Sequence, residues 1–363
     1  MAIAQGVIEE AVELYRRERG LYLRLAARVA DICQVDIVNN NLVRAQVTSR
    51  TKTVDSFRDK LERFSRRPDK HMPTADEVFR QVADLAGVRI ATYRPEDEAR
   101  VAAEIQALFD WPNGVARDIE RKDRLATLKQ NYYRATHCQA TLRAADLADE
   151  DRPLARLSCE IQVCSIMAHV WNEIEHDIGY KPTGGELGPE EQRLLGALGH
   201  LTRSGDEVIA ALLDATAARL RAQTGPFHDA HDFVARLGGD LPGVDFSIGG
   251  GPLFGLLRSL DLTSPEALNS YVAPLKRDLA ATLGRIKRFN ADLAALGDAD
   301  LSLDPATSDL LLMLLLEPFG EAIARRQSAG GAGGGVSRIG RIAAAYHRHG
   351  QGRGAGAARS SSR

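Results

Sequence analysis

Cysteine is scarce in this chain, with four residues among 363 and no Cys-x-x-Cys pair. Cys159 and Cys164 would face opposite sides of any strand that held both, so a shared zinc or disulfide is not expected. With Cys33 and Cys138 they read as reduced, buried thiols. An excess of one charge is also lacking. The formal net charge is −2, and no global field calls for nucleic acid. Long apolar runs are missing too. The most apolar stretch, Leu310 to Leu316, is far too short to span a bilayer. Glu9, Glu10 and Glu13 precede any apolar run that could form a signal core. The expected protein is cytoplasmic, with no membrane partner.

One stretch stands out against this background. Residues 160–181 read as a strand running into a helix. Alternation places Glu160, Gln162 and Cys164 on one face, and Cys159, Ile161 and Val163 on the other. The apolar set is the expected core face, so the first set points toward a cleft with a carboxylate at its head. In the helix, Ile166, Val170, Ile174 and Ile178 are expected to form a buried stripe. Glu175 and His176 precede a stop signalled by Gly179 and Pro182.

Upstream, periodic apolar residues from Val7 to Ile32 predict a helix without catalytic features. Residues 42–47 alternate as a strand. A basic loop with Arg50 and Lys52 follows, then a helix capped near Thr53 or Asp55. Ser56 and Lys60 lie one turn apart on one face, beside the two loop cations, where together they can hold a polyphosphate by charge-assisted hydrogen bonds. A short helix with Val78, Phe79 and Val82 inward precedes Asp84. Gly87 fits its C-terminal turn, and the strand beyond carries Arg89. Residues 98–109 read as a helix, and residues 114–124 as a charged edge strand. Lys129, Asn131, Tyr132, Tyr133 and His137 then lead into another strand.

The pattern resembles the synthetase domain of the RelA/SpoT family, through four motifs in order across roughly residues 42–182. Arg50, Lys52, Ser56 and Lys60 reproduce its Arg-x-Lys-x3-Ser-x3-Lys motif. Asp84, Gly87 and Arg89 match Asp-x-x-Gly-x-Arg. Lys129, Asn131, Tyr133 and His137 match in register, with Lys122-Asp123 upstream. Glu160-Ile161-Gln162, Trp171, Glu175-His176 and Tyr180-Lys181 complete the set. Four positions depart from the family pattern. Tyr132 replaces a glycine, Leu128 a proline, and Cys164-Ser165 an Arg-Thr pair.

The resemblance implies an α/β, nucleotidyltransferase-like mixed sheet, mostly antiparallel, flanked by helices. It implies an enzyme that moves pyrophosphate from ATP to the 3′-hydroxyl of GDP or GTP. The products would be AMP and the alarmones ppGpp and pppGpp of the stringent response. Mg²⁺ would sit on Asp84 with help from Glu160, the two catalytic residues. Glu160 would orient or deprotonate the attacking hydroxyl. Arg50, Lys52, Ser56, Lys60 and Arg89 would bind ATP, the two arginines sandwiching its adenine. Lys129, Asn131, Tyr133 and His137 would bind the acceptor, with Tyr133 as a stacking platform. The departures at positions 132, 164 and 165 and the basic tail leave two alternatives open. One is a toxin-like pyrophosphokinase acting on tRNA 3′ ends or adenosine nucleotides. The other is a non-catalytic nucleotide- or partner-binding module. Too few residues precede the motifs for the hydrolase domain of long family members, so degradation is not expected.

The domain boundaries expected are an N-terminal helix (1–40), the synthetase domain (41–183), an all-helical C-terminal extension (184–326) and a disordered Gly/Ala/Arg/Ser-rich tail (327–363). The extension is predicted to hold one long helix over 189–222 and others near 227–237, 252–260, 265–296 and 305–326. His228-Asp229-Ala230-His231-Asp232 reads as a polar helix start rather than a metal cluster. The extension is left with packing, oligomerisation or partner choice, a homo-oligomer and an antitoxin being the protein partners in view.

Overall fold

The computed structural model describes residues 3–67, 69–111, 119–124, 132–178, 187–239, 241, 243–329 and 337–348. The chain forms two compact units, one of residues 1–38 and 43–213, the other of residues 39–42 and 214–363.

The first unit begins with α1 (Gln5–Ile32), which buries Ile8, Ala11, Val12, Tyr15, Tyr22, Leu25, Ala26 and Val29 on one face. Helical spacing of these residues makes the helix amphipathic and packs it on the domain core. Strand β1 (Ala45–Thr51) follows, then α2 (Val54–Ser65) and α3 (Ala75–Gln81). Thr53 caps α2 by accepting from the Ser56 amide at 3.1 Å. Next come β2 (Ala86–Thr92), α4 (Asp97–Leu108), β3 (Ile119–Asp123), β4 (Arg134–Ala140), β5 (Cys159–Ser165) and α5 (Ile166–Ile178). Most of α6 (Pro189–Arg221) belongs to this unit as well.

The sheet has order β1-β2-β5-β4-β3. Only β2 and β5 run parallel; the other three pairs are antiparallel. This is the mixed, mostly antiparallel sheet expected from sequence. Strand β2 lies inside it and is buried except at Arg89. Strand β3 is an edge, and its Glu120, Arg121 and Lys122 suit an edge that must not pair further.

Several local expectations need correction. Arg50 lies within β1, not in a loop. Gly87 lies within β2 rather than at a helix end, directly across from Arg50. Helix α5 buries Ala168, Trp171 and Asn172. Its Val170 and Ile178 are 41% and 46% exposed, so the inward stripe is not the isoleucine one. The Trp171 indole donates to the Leu195 carbonyl at 3.0 Å, and burial of that large ring sets the rotation of the helix. On α6 the buried positions are Gly196, Gly199, Thr202 and Asp206, while Leu194, Leu201, Val208 and Leu212 are exposed.

The second unit contains α7 (Ala230–Gly238), α8 (Gly250–Ser259), α9 (Pro265–Arg277), α10 (Leu279–Ala295), α11 (Asp309–Ala329) and a last helix, α12, over residues 338–348. The single helix expected over 265–296 is two. Asp278 breaks it and caps α10 by accepting from the Ala281 amide. Asp229 caps α7 and Asp232 accepts from the His228 amide, so that segment is a polar helix start. Leu310 to Leu316 are all buried, which places α11 at the centre of this unit's core. The tail from 327, expected to be mostly disordered with a helical turn around Ile339 to Tyr346, contains α12 over that turn and beyond it. Its Ile339, Ile342, Ala343 and Ala345 are buried, and Arg338 makes two 2.8 Å bonds to Asp309.

Candidate active site

A cleft of about 740 Å³ opens in the first unit over β2, β4 and β5. Arg50, Lys52, Ser56, Lys60, Asp84, Arg89, Tyr133, His137 and Glu160 all line it. Four separate sequence motifs therefore meet in one place. Lys129 and Asn131 lie outside the described residues, as do Leu128, Tyr180 and Lys181.

One wall is built by β1, α2 and the corner before β2. Asp84 stands at that corner, with its Oδ1 2.7 Å from the Lys60 ammonium and its Oδ2 2.9 Å from that of Lys52. Burial alone would raise its pKa. The two ammonium groups outweigh burial and hold the carboxyl at about 2. Helix α1 braces this wall from behind. The Tyr15 hydroxyl donates to the Lys52 carbonyl at 2.7 Å, and the Lys52 amide donates to the Leu85 carbonyl at 3.0 Å. Burial pushes the Tyr15 phenol up to about 12, so it remains a donor.

The other wall is built by β4, β5 and α5. Pairing aligns His137 of β4 with Gln162 of β5, and Gln162 with Arg89 of β2. A hydrogen-bonded chain runs along these residues. The Tyr133 hydroxyl lies 2.7 Å from His137 Nε2, and His137 Nδ1 lies 3.0 Å from Glu160 Oε1. Gln162 donates to Glu160 Oε2 at 2.7 Å and accepts from Arg89 at 3.2 Å. Arg89 ends the chain on Glu173 at 2.6 Å and beside His169 at 3.0 Å. Burial acts to raise the Glu160 pKa, but the bond and charge from His137, with the Gln162 bond, hold it below the usual carboxylate range. Burial pushes the Tyr133 phenol up to about 12. The Arg124 guanidinium lies over its ring, 4.8 Å from the centroid.

Cys164 does not face the cleft. It is 1% exposed and packs with Ala135, Ala168 and Tyr133. Burial pushes its thiol up to about 12. Ser165 caps the start of α5 through the Ala168 amide and donates to Asp206. Tyr132 points away from the cleft and is buried against Trp171 and His200.

Arg63, Arg124, Asn172 and Glu173 line the cleft without having been singled out in sequence. Arg63 is one turn beyond Lys60 on α2, and that spacing was a readable signal. Glu173 lies four residues after His169 on the polar side of α5, which was readable too. Nothing in the sequence marked Tyr15 as a brace.

The cleft can hold a polyanion against Lys52, Lys60, Arg50 and Arg63. It can also set an ionised carboxylate, Glu160, near an aromatic ring. Asp84 and Glu160 are hard oxygen donors, the type that suits magnesium, which takes one or two carboxylates plus substrate phosphates. Among the described residues, no group of three or more His, Cys, Asp or Glu side chains is placed to hold a metal.

Residues 49–185 match the family described as the region found in RelA / SpoT proteins. This matched stretch holds every candidate site residue from Arg50 to Glu160. A GTP pyrophosphokinase family protein from Streptococcus pneumoniae is similar over 56% of this chain and 94% of its own. That pair shares 18% identity and a TM-score of 0.43. Small alarmone synthetase 1 from Bacillus subtilis, solved bound to its product pppGpp, covers 56% of this chain and 98% of its own at 17% identity and a TM-score of 0.41. Small alarmone synthetase 2 from the same organism covers 55% and 98% at 22% identity and a TM-score of 0.41. No curated protein matches the sequence. No helix among the described residues is long and apolar enough to cross a membrane.

Proposed function

We propose that the first unit transfers pyrophosphate from ATP to the 3′-hydroxyl of GDP or GTP, releasing AMP and making ppGpp or pppGpp. The observation that carries this is the pair of carboxylates, Asp84 and Glu160, lining one cationic cleft in the stretch that matches the RelA/SpoT region. A protein that only bound nucleotide would have no use for two ionised carboxylates facing a phosphate site, where they repel the ligand.

Lys52 and Lys60 hold Asp84 in the free site. A triphosphate offers these lysines a stronger acceptor and releases the carboxylate. Asp84 and Glu160 are the residues that would then hold Mg²⁺. Bound there, the ion would neutralise charge on the phosphates during transfer. Arg50 and Arg63 add cations to the same wall. Glu160, kept ionised by His137 and Gln162, orients the attacking 3′-hydroxyl and accepts its proton. Because its pKa is depressed, it is a weaker base than a free glutamate, and orientation is the larger part of its role. Tyr133 offers its ring to the acceptor base.

Incubation with radiolabelled ATP and, in turn, GDP, GTP, ATP or deacylated tRNA tests the acceptor. Label should move onto GDP or GTP. Transfer only to tRNA or to ATP would replace the proposed acceptor, and no transfer to any would remove the catalytic reading.

A further inference from the structure

Tyr132 and Tyr133 are adjacent, and their side chains go to opposite sides of the chain. Tyr133 lines the cleft; Tyr132 is 6% exposed and packs against α6. The Tyr132 ring stands edge-on to His200 at 5.1 Å and tilted to Trp171 at 6.1 Å. The Arg203 guanidinium lies 5.7 Å from its centroid. Its hydroxyl lies 2.7 Å from His200 Nε2. Gly199 forms the floor: a Cβ there would overlap the ring at Cγ and Cδ2. On the far side of Tyr133, Arg134 forms an ion pair with Asp206, which is 3% exposed. Ser165 ties the same two residues together, donating to Asp206 and accepting from Arg134, both at 3.0 Å. Arg203 also reaches Asp123 at the end of β3, at 3.4 Å. Helix α6 begins after the matched family region ends at 185.

We propose that α6, through Gly199, His200, Arg203 and Asp206, is the positioning element for the acceptor side of the cleft. It clamps the residues on either side of Tyr133 and so fixes where the Tyr133 ring stands. None of the four α6 residues lines the cleft. They act through Tyr132 and Arg134. Gly199 is the sharpest of them, because the space it leaves is filled by a ring rather than by a movable chain end. The inference rests on the reading of Tyr133 as the acceptor platform.

The test is Gly199→Val, with Gly199→Ala as the milder variant, assayed in the full chain with ATP and GTP varied separately. A side chain at 199 must push the Tyr132 ring and tilt Tyr133. The acceptor KM should rise about 10- to 100-fold while the ATP KM stays within about twofold, the scale seen when a reacting group is misplaced from a distance. Tyr132→Ala should produce the same split, and adding Gly199→Val to it should cost nothing more, since the ring to be pushed is gone. Tyr132→Phe keeps the ring and should fall between wild type and Tyr132→Ala. A helix that merely stabilised the fold would lower the melting temperature and leave both KM values unchanged. That result, or both KM values rising together, overturns the proposal. Hydrogen exchange supplies the readout that does not depend on turnover. Gly199→Val should speed exchange in residues 132–140 and leave residues 45–65 at the wild-type rate. If wild type transfers nothing to any acceptor, the functional reading has failed, and the exchange pattern alone decides the clamp. Equal change in both segments, or none in 132–140, sinks it.

Discussion

On the β1–α2–β2 wall of the cleft, Asp84 meets two lysines; on the β4–β5–α5 wall, Glu160 meets a histidine and a glutamine. The first arrangement is a cluster of permanent charges, one carboxylate against two ammonium groups, which leaves the wall net cationic. The second is a line of directional hydrogen bonds from Tyr133 to Arg89, which orients one carboxylate. Charge clusters bind, because Coulomb attraction tolerates small misplacement. Directional chains align, because a hydrogen bond weakens steeply with angle. The walls are also braced differently. Tyr15 of α1 supports the first from behind, and α6 clamps the second.

The largest effects should come from removing either carboxylate. Glu160→Gln should cut transfer by about 10²–10⁴-fold, the range for a positioned proton-transfer group, and Asp84→Ala should cut it comparably by removing a carboxylate that would hold Mg²⁺, each with an unchanged circular dichroism spectrum. A folded variant that retains near wild-type turnover would strike that residue from the site.

Lys52→Ala and Lys60→Ala probe the charged wall. Each loses a charge-assisted contact of about 1.5–3 kcal/mol, roughly 10- to 100-fold in kcat/KM for ATP, with little change for the acceptor. Steady-state kinetics with each substrate varied should separate the two. A selective rise in the acceptor KM would mean that the two walls have been assigned the wrong way round.

Tyr133→Ala should cost about tenfold or more in acceptor kcat/KM, since base stacking on an aromatic ring is worth roughly 1–3 kcal/mol. Tyr133→Phe keeps the ring face but loses the bond to His137, and should retain much of the activity. If the alanine variant is stable and kinetically silent, the ring is not a platform.

How much of this comparison was legible in the sequence differs by wall. The charged wall draws its residues from one segment, Arg50 to Asp84, so local spacing exposed the Thr53 cap and the Ser56–Lys60 face. The aligned wall depends on pairing between β4 and β5 and on helix rotation. Spacing gave Glu160 and Gln162 a common face, but not the bond from His137 to Glu160. The buried face of α5 was misread because Trp171 outweighs the smaller isoleucines in setting its rotation. On α6 the leucines signalled a helix, while the functional side carries Gly199, His200, Arg203 and Asp206, which no apolar period marks. Gly87 was misplaced because a glycine inside a strand leaves the same sequence trace as a helix stop.

The smallest effect is on stability and isolates the charged wall. The Asp84 pKa is lowered from 3.8 to about 2, so its pairing stabilises the fold fully above about pH 4. That contribution is lost as the pH falls through about 2. The stability gap between wild type and Asp84→Asn, measured by urea unfolding, should therefore narrow as the pH drops below about 4. A gap that widens on acidification would reverse the assigned sign.

The central claim, that the two walls bring an ATP β-phosphorus to an acceptor hydroxyl, is tested most directly with ATP labelled in two places. With ³H-labelled adenine and a ³²P γ-phosphate, wild-type protein and GTP should yield ³H-AMP and ³²P on the guanosine product in equal amounts. Labelled ADP with ³²P transferred as a single phosphate, or AMP with free ³²P-pyrophosphate whether or not GTP is present, would contradict it.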